Sequence, residues 1–389
     1  MLIGLELTNY ALFSHLSLGL TAPDVAALDD LSAVGEFYPL GQLSAIVGKN
    51  DSGKSALFAA LGFLSDCLIH DVPFASAAGT RGGFAALKTH GSEGPMRLSM
   101  TFRKDRETFL TYSVGLDSDV HNRPYVKDED VLLTTFKDGK KETRTLLQVA
   151  GGEGKVVARN GEESVAMVDR RHLSLGAYGR LLNYADLCWI YAQITRWFIA
   201  SDDTEEEPLT GHTKGGHRHV SPRFDNIRNV LEYMEREDPR RYEETLAYIR
   251  ERVPDFKRIG DAFLDHGQRS GSKRLFSLLL LLTDPKPRPL LCLDYPDQQM
   301  YHDAIDVLMF EIREYLRRHP TCQIFLTTYN PNTIEALRPG EVYLFERPEE
   351  NSSVKVHAVG RSEKVRAMLK EGIGMASIWY GGYFEPEPK

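Results

Sequence analysis

Eight consecutive residues, Gly48-Lys49-Asn50-Asp51-Ser52-Gly53-Lys54-Ser55, carry the most legible chemistry in this chain. They satisfy GxxxxGK[ST], in which glycines let backbone N–H groups turn inward around phosphates, the lysine reaches the β and γ phosphates and the hydroxyl ligates Mg²⁺. Context gives the pattern its meaning. Leu43 to Val47 reads as a short buried strand, and from Lys54 to about His70 the apolar residues Leu57, Phe58, Leu61, Leu64 and Leu68 recur at helical spacing. A helix opening at Lys54 adds its own positive potential to the loop. The nucleotide-binding set is therefore Gly48, Asn50, Asp51, Ser52, Gly53, Lys54, Ser55 and the adjoining Ala56. ATP is favoured over GTP, because no NKxD-type guanine motif stands in a suitable place.

The elements that must position this loop follow from periodicity. Residues 1 to 20 alternate around Asn9-Tyr10-Ala11-Leu12-Phe13, as two short strands joined by a turn would. Residues 97 to 168 read as a β meander, with Asp138-Gly139 and Asn160-Gly161 as hairpin turns. A helical segment is expected over about 170 to 200, a polar loop over Ser201 to Arg223, and two helices near 224 to 236 and 239 to 253. A further apolar helix spans about 272 to 283. Beyond it, the strand Leu290 to Leu293, a helix carrying Ile305, Leu308, Met309, Ile312 and Leu316, and the strand Gln323 to Thr328 form a βαβ unit. Three regions result: 1–168 with the phosphate loop and meander, 169–260 as an inserted helical lobe, and 261–389 completing the ATPase.

Composition bounds the partners. Hydrophobic residues at 42% and charged residues at 26% describe a folded globular chain, and the net charge of −8 argues against a surface coated in Lys and Arg. Cys67, Cys188, Cys292 and Cys322 lie far apart with no CxxC pair, so neither zinc nor a disulfide framework is indicated. The longest apolar run, Leu275 to Leu282, falls well short of the roughly 20 residues a bilayer requires. With no signal-like start, a cytoplasmic protein without membrane contact is expected.

The strand-turn pattern with Asn9-Tyr10 and Phe13, the loop GKNDSGKS and the later βαβ unit together resemble the RecF/SMC/OLD branch of ABC-type ATPases. More narrowly, they are similar to compact ATPases of that branch found beside effector genes in bacterial defence loci. Arg81-Gly82-Gly83-Phe84, Ser221-Pro222-Arg223-Phe224-Asp225-Asn226 and Ile378-Trp379-Tyr380-Gly381-Gly382 support the likeness. It implies an α/β P-loop head with an antiparallel β subdomain and a small helical lobe. It also implies a signature loop, here Ser270 and Gly271, that completes the ATP site of a partner head, and Asp294 as the second Mg²⁺ group beside Ser55.

The departures are concentrated at hydrolytic positions. The family's Asp-Glu-Pro-Glu is Asp294-Tyr295-Pro296-Asp297 here, and its switch histidine is Tyr329. A tyrosine with a pKa near 10 is a poor base at neutral pH. Losing a positioned base typically costs on the order of 10² to 10⁴ in rate. Asp294, Tyr295, Asp297 and Tyr329 are thus the positions on which catalysis turns, with Asp297 the alternative base. The resemblance implies an ATP-gated subunit that assembles with itself or a homologous head and switches a separate effector, in anti-phage defence or DNA maintenance, with slow hydrolysis. A non-cycling scaffold is the alternative, and DNA or RNA contact stays open.

Other signals have plainer explanations. His212, His217 and His219 lie in a polar loop without metal-ligand spacing, Lys273-Arg274, Arg240-Arg241 and Arg317-Arg318 read as exposed helix charge, and Trp189 and Trp197 read as core. About 60 residues follow Thr328, too few for an appended nuclease domain.

Overall fold

The computed structural model describes residues 1–138, 140–200, 218–253, 271–347 and 353–385. Its strands in the first half of the chain are β1 (Leu2–Tyr10), β2 (Phe13–Gly19), β3 (Leu43–Val47), β4 (Met96–Arg103), β5 (Thr108–Ser118), β6 (Pro124–Lys137) and β7 (Lys140–Ala150). There follow β8 (Glu153–Val157), β9 (Glu163–Met167), β10 (Phe198–Ile199), β11 (Leu290–Leu293), β12 (Gln323–Thr328), β13 (Val342–Glu346) and β14 (Lys355–Ala358).

Two sheets result. One is antiparallel, in the order β2-β1-β4-β5-β6-β7-β8-β9; the other runs β10-β11-β12-β3-β13-β14, parallel except for β14. The meander expected from alternation is the run β4 to β9. Its register follows from the pleat: Met96, Leu98, Met100 and Phe102 on β4 all enter one core.

The parallel sheet divides two cores, and its strands show how. On β3, Ile46 joins the core shared with the antiparallel sheet, whereas Leu43, Ala45 and Val47 enter the core on the opposite face. On β11, Leu290 and Cys292 turn one way and Leu291 and Leu293 the other; on β12, Phe325 opposes Ile324 and Leu326. Strands buried on both faces need continuous apolar runs, which is why these segments show no amphipathic pattern. The helix Lys54–Ile69 fills the first core, and the helices Gly271–Leu282 and His302–Arg318 fill the second.

Within the segment read as an inserted helical lobe, 169–260, the described residues pack against both cores. Leu173, Leu175, Leu187, Ile190 and Ile194 pack with the antiparallel side, and Phe198–Ile199 then pairs with β11. The helices Ile227–Glu237 and Pro239–Arg250 bury Ile227, Val230, Leu231 and Ile249 in the opposite core. Helical periodicity locates an apolar stripe but does not say which of two cores receives it. Among the described residues, no helix is long and apolar enough to cross a membrane.

One buried amide joins the sheets. Gln323 at the start of β12 donates through Nε2 to the Leu2 carbonyl at 2.8 Å and the Gly41 carbonyl at 2.9 Å, and its Oε1 accepts from the Leu2 N–H at 2.7 Å. Truncation would leave the buried Leu2 amide and its neighbours without these partners, a loss of about 2 kcal/mol. Gln323→Ala should therefore lower the urea midpoint measurably without changing the m-value.

Candidate nucleotide-binding site

β11, β12 and β3 lie side by side and parallel, so their C-terminal ends emerge together. That edge of an open parallel sheet is where ligands usually bind. Here it brings together the phosphate loop, the Asp294 segment and the Thr327-Thr328-Tyr329 segment.

Gly48 leaves β3 with φ +152°, and a Cβ there would sit 2.3 Å from the Phe345 carbonyl oxygen and 2.7 Å from Ser52 Oγ. Only glycine permits this approach to β13. Asn50 and Asp51 form the exposed tip, with Asp51 in the left-handed region at φ 60°. Beyond Gly53, the helix opens at Lys54, Ser55 and Ala56, with Ser55 exposed.

Lys54 is only 3% exposed. Its Nζ turns back into its own loop, donating to the carbonyls of Gly48 at 2.9 Å and Lys49 at 2.5 Å and to Ser52 Oγ at 3.3 Å. Burial pulls the pKa of this ammonium down, while the Asp294 and Asp51 carboxylates act in the opposite sense. The lysine is thus held where a phosphate oxygen can replace loop carbonyls as acceptor.

Asp294 follows β11 directly. Its Oδ1 accepts from Thr327 Oγ1 at 2.5 Å, and the same threonine oxygen accepts from the Tyr295 N–H at 2.8 Å. Arg274, one turn into the helix that starts at Gly271, donates to the Asp294 carbonyl at 2.9 Å. Thr327 and Arg274 make contacts that motif reading did not assign; Thr327 was visible as part of a switch strand, and Arg274, expected to be exposed helix charge, is instead half-buried on the Asp294 carbonyl.

Tyr295 adopts φ 43°, with its ring 5.8 Å from Lys54 Nζ and 5.4 Å from the Tyr329 ring. Burial, reinforced by Asp294, Tyr329 and Asp297, pushes its phenol up to about 12. At neutral pH the hydroxyl therefore stays protonated and cannot take a proton from water. Tyr329 is half-exposed beside it.

Asp297 points away from solvent, 3% exposed. Its Oδ2 accepts from the hydroxyls of Thr328, at 2.5 Å, and Thr333. Burial raises its pKa, with the two hydroxyls opposing. The arrangement ties the turn after β11 to both the end of β12 and the helix Pro331–Glu335. Asp297→Ala would strand two buried hydroxyls and should cost about 2 kcal/mol of stability, read by chemical denaturation. For the native carboxyl, a folded pKa above the unfolded value means stability falls as pH rises through that window, and Asp297→Asn should flatten this slope.

Gly271 opens its helix against the loop after β11: a Cβ on it would lie 2.2 Å from the Gln299 carbonyl oxygen. Ser270, the other signature-loop candidate, lies outside the described residues, as do His212 and His217. His219 is pinned through Nδ1 to Asp284 at 2.7 Å. Arg240 and Arg317 pair with Glu244 and Glu314 on their own helices, and Trp197 is buried as expected.

The donors suit Mg²⁺. A serine hydroxyl and a carboxylate are hard oxygen ligands, and Mg²⁺ usually takes one or two such groups together with phosphate oxygens and water. Among the described residues no group of three His, Cys, Asp or Glu side chains stands ready to bind a metal alone. Ser55 and Asp294 would thus hold the ion jointly with the nucleotide.

No family model matches the chain, and no curated protein matches it. Among solved structures, it is similar to an Smc head bound to the C-terminal winged-helix domain of ScpA, with a TM-score of 0.45 and 13% identity over 91% of this chain and 97% of that one. The SMC head domain from Thermotoga maritima gives 0.38 at 14% identity, covering 91% and 98%. The Smc head with an extended coiled coil bound to the C-terminal domain of ScpA, from Pyrococcus furiosus, gives 0.41 at 12% identity, covering 95% and 98%. The observed architecture itself is α/β, with the phosphate loop on a parallel sheet beside an antiparallel β subdomain.

Proposed function

We propose that this chain is an ATP-binding, ABC-type ATPase subunit that assembles around ATP and controls a partner effector or a nucleic-acid transaction, hydrolysing ATP slowly. The observation that carries this reading is the joining, at one sheet edge, of Lys54, Ser55 and Asp294 with a tyrosine in place of a carboxylate at position 295. Lys54, Ser55 and Asp294 would bind ATP and Mg²⁺, and no carboxylate directly follows Asp294 to activate water.

In this reading Lys54 exchanges its loop carbonyls for phosphate oxygens, and Asp294, held by Thr327, takes the Mg²⁺ side. Ser270 and Gly271 would serve the nucleotide of a second head. Asp297 acts as a positioning residue for the switch segment, through Thr328 and Thr333, rather than as a base. Closure of two heads requires only that ATP stabilise the closed state more than the open one, so slow turnover lengthens the closed period. The setting, anti-phage defence or DNA maintenance, rests on the resemblance read in the sequence.

The test is to incubate the purified protein with labelled ATP and Mg²⁺ and measure retained nucleotide and released phosphate in the same sample. Tight retention with little release supports the proposal; brisk release refutes its hydrolytic part, and no retention refutes all of it. A scaffold that uses ATP without switching also fits a protonated Tyr295. X-ray scattering separates the two, since only the switch changes shape when ATP replaces ADP.

A further inference from the structure

The N-terminal ends of the same parallel strands border a second concavity. A cleft of about 1010 Å³ lies between the sheets, entered past the segments that precede β3 (Pro39 to Gly41), β11 (Pro285 to Pro289) and β12 (Pro320 to Cys322). It is opposite the nucleotide-binding edge, and nothing in the nucleotide chemistry uses it.

Its lining is unusual for this protein. Although the chain carries a net charge of −8, the cleft presents Arg103, Lys104, Arg106, Arg196 and Lys286 against the single carboxylate of Asp105. Lys104 is neutralised by Asp186 at 2.7 Å. Arg103 donates to the carbonyls of Asp105 and Arg106, and Arg196 to that of Pro287, and neither forms an ion pair among the described residues. Arg106 and Lys286 are exposed and have no carboxylate partner among the described residues.

Much of the remaining lining is apolar. Trp189 lines it, half-buried and held perpendicular to Phe102 with ring centroids 6.0 Å apart. Pro39, Pro285, Pro287, Pro289 and Pro320 form much of the rim. Proline carries no N–H, so this rim offers little to a peptide seeking main-chain pairing. An inorganic anion would want the cations to converge on one point, and here they are spread over three separate segments. A strand whose phosphates repeat and whose bases can lie on an aromatic ring meets both features, charge at intervals and a stacking face between.

We propose that this cleft seats a short stretch of single-stranded nucleic acid, its phosphates on Arg103, Arg106, Arg196 and Lys286 and a base on Trp189. The proposal is independent of ATP binding. The experiment is fluorescence anisotropy of the full chain with a labelled 12-mer of deoxythymidine, an abasic 12-mer and an oligoglutamate of equal charge, over a salt series. With four unpaired cations, log affinity should fall with log salt at a slope of roughly −3.

Charge reversal in Arg106→Glu with Lys286→Glu should weaken the thymidine strand at least about tenfold, and Trp189→Phe should weaken it several-fold. Both reversed residues are exposed, so the variant should keep its circular dichroism spectrum and its ATP retention; Lys54→Ala should bind the strand as the native protein does. The abasic strand should bind at least about tenfold less well than thymidine. Equal binding of thymidine and abasic strands, or of thymidine and oligoglutamate, would overturn the assignment in favour of a plain polyanion or an acidic peptide. Strand binding that ignores the double reversal, or no strand binding at all, would overturn it outright.

Discussion

Lys54→Ala should retain ATP at least about 100-fold more weakly than the native protein while remaining folded. The ammonium is the buried cation of the loop, Lys49 being exposed, and it is already desolvated there, so phosphate oxygens meet it without much further loss of water. A charge-assisted hydrogen bond contributes roughly 1.5 to 3 kcal/mol, and a factor of 100 in affinity corresponds to about 2.7 kcal/mol. Filter retention of labelled ATP measures the loss, and a thermal melt confirms the fold. Retention within threefold of native would show that the loop is an ordinary glycine-rich turn and would sink the ATP-binding proposal.

Tyr295→Glu should raise phosphate release by about 10² or more, making it a gain-of-function test. The backbone already aims residue 295 between Asp294 and the phosphate loop: its N–H is fixed by Thr327, and its ring stands 5.8 Å from Lys54. Replacing a phenol held near 12 by a carboxylate supplies an acceptor that is ionised at neutral pH. Single-turnover phosphate release reads the effect, with ATP retention as the control. An unchanged rate at native retention would mean that the slow step lies elsewhere, for instance in head closure.

Much of this arrangement was legible in the chain. The strand–loop–helix at 43 to 69 falls where the apolar runs place it, because a five-residue buried strand and a 16-residue largely buried helix differ in length and in the spacing of their apolar residues. The βαβ unit ending at Thr328 was equally plain. What the sequence could not convey was the role of neighbours distant along the chain. That Asp297 faces Thr328 and Thr333, or that Gln323 reaches back to Leu2, depends on which strands become adjacent, and no local spacing encodes that. Which of the two cores receives each described helix between 169 and 253 was hidden for the same reason. The basic cleft was hidden more thoroughly still: its charges are scattered from Arg103 to Lys286 in an acidic chain, and only folding gathers them.

The short parallel strands also act as a ruler. β3, β11 and β12 have five, four and six residues, and each carries cleft residues before its first position and nucleotide-site residues after its last. At about 3.3 Å per residue, β3 sets the two ends roughly 16 Å apart. Because alternate side chains on each strand belong to different cores, sliding one strand by a single residue would turn both packed faces inside out. Ligands bound at the two edges would therefore be held at a fixed span, and a change at one would reach the other through the strand as a whole or through the helices resting on it.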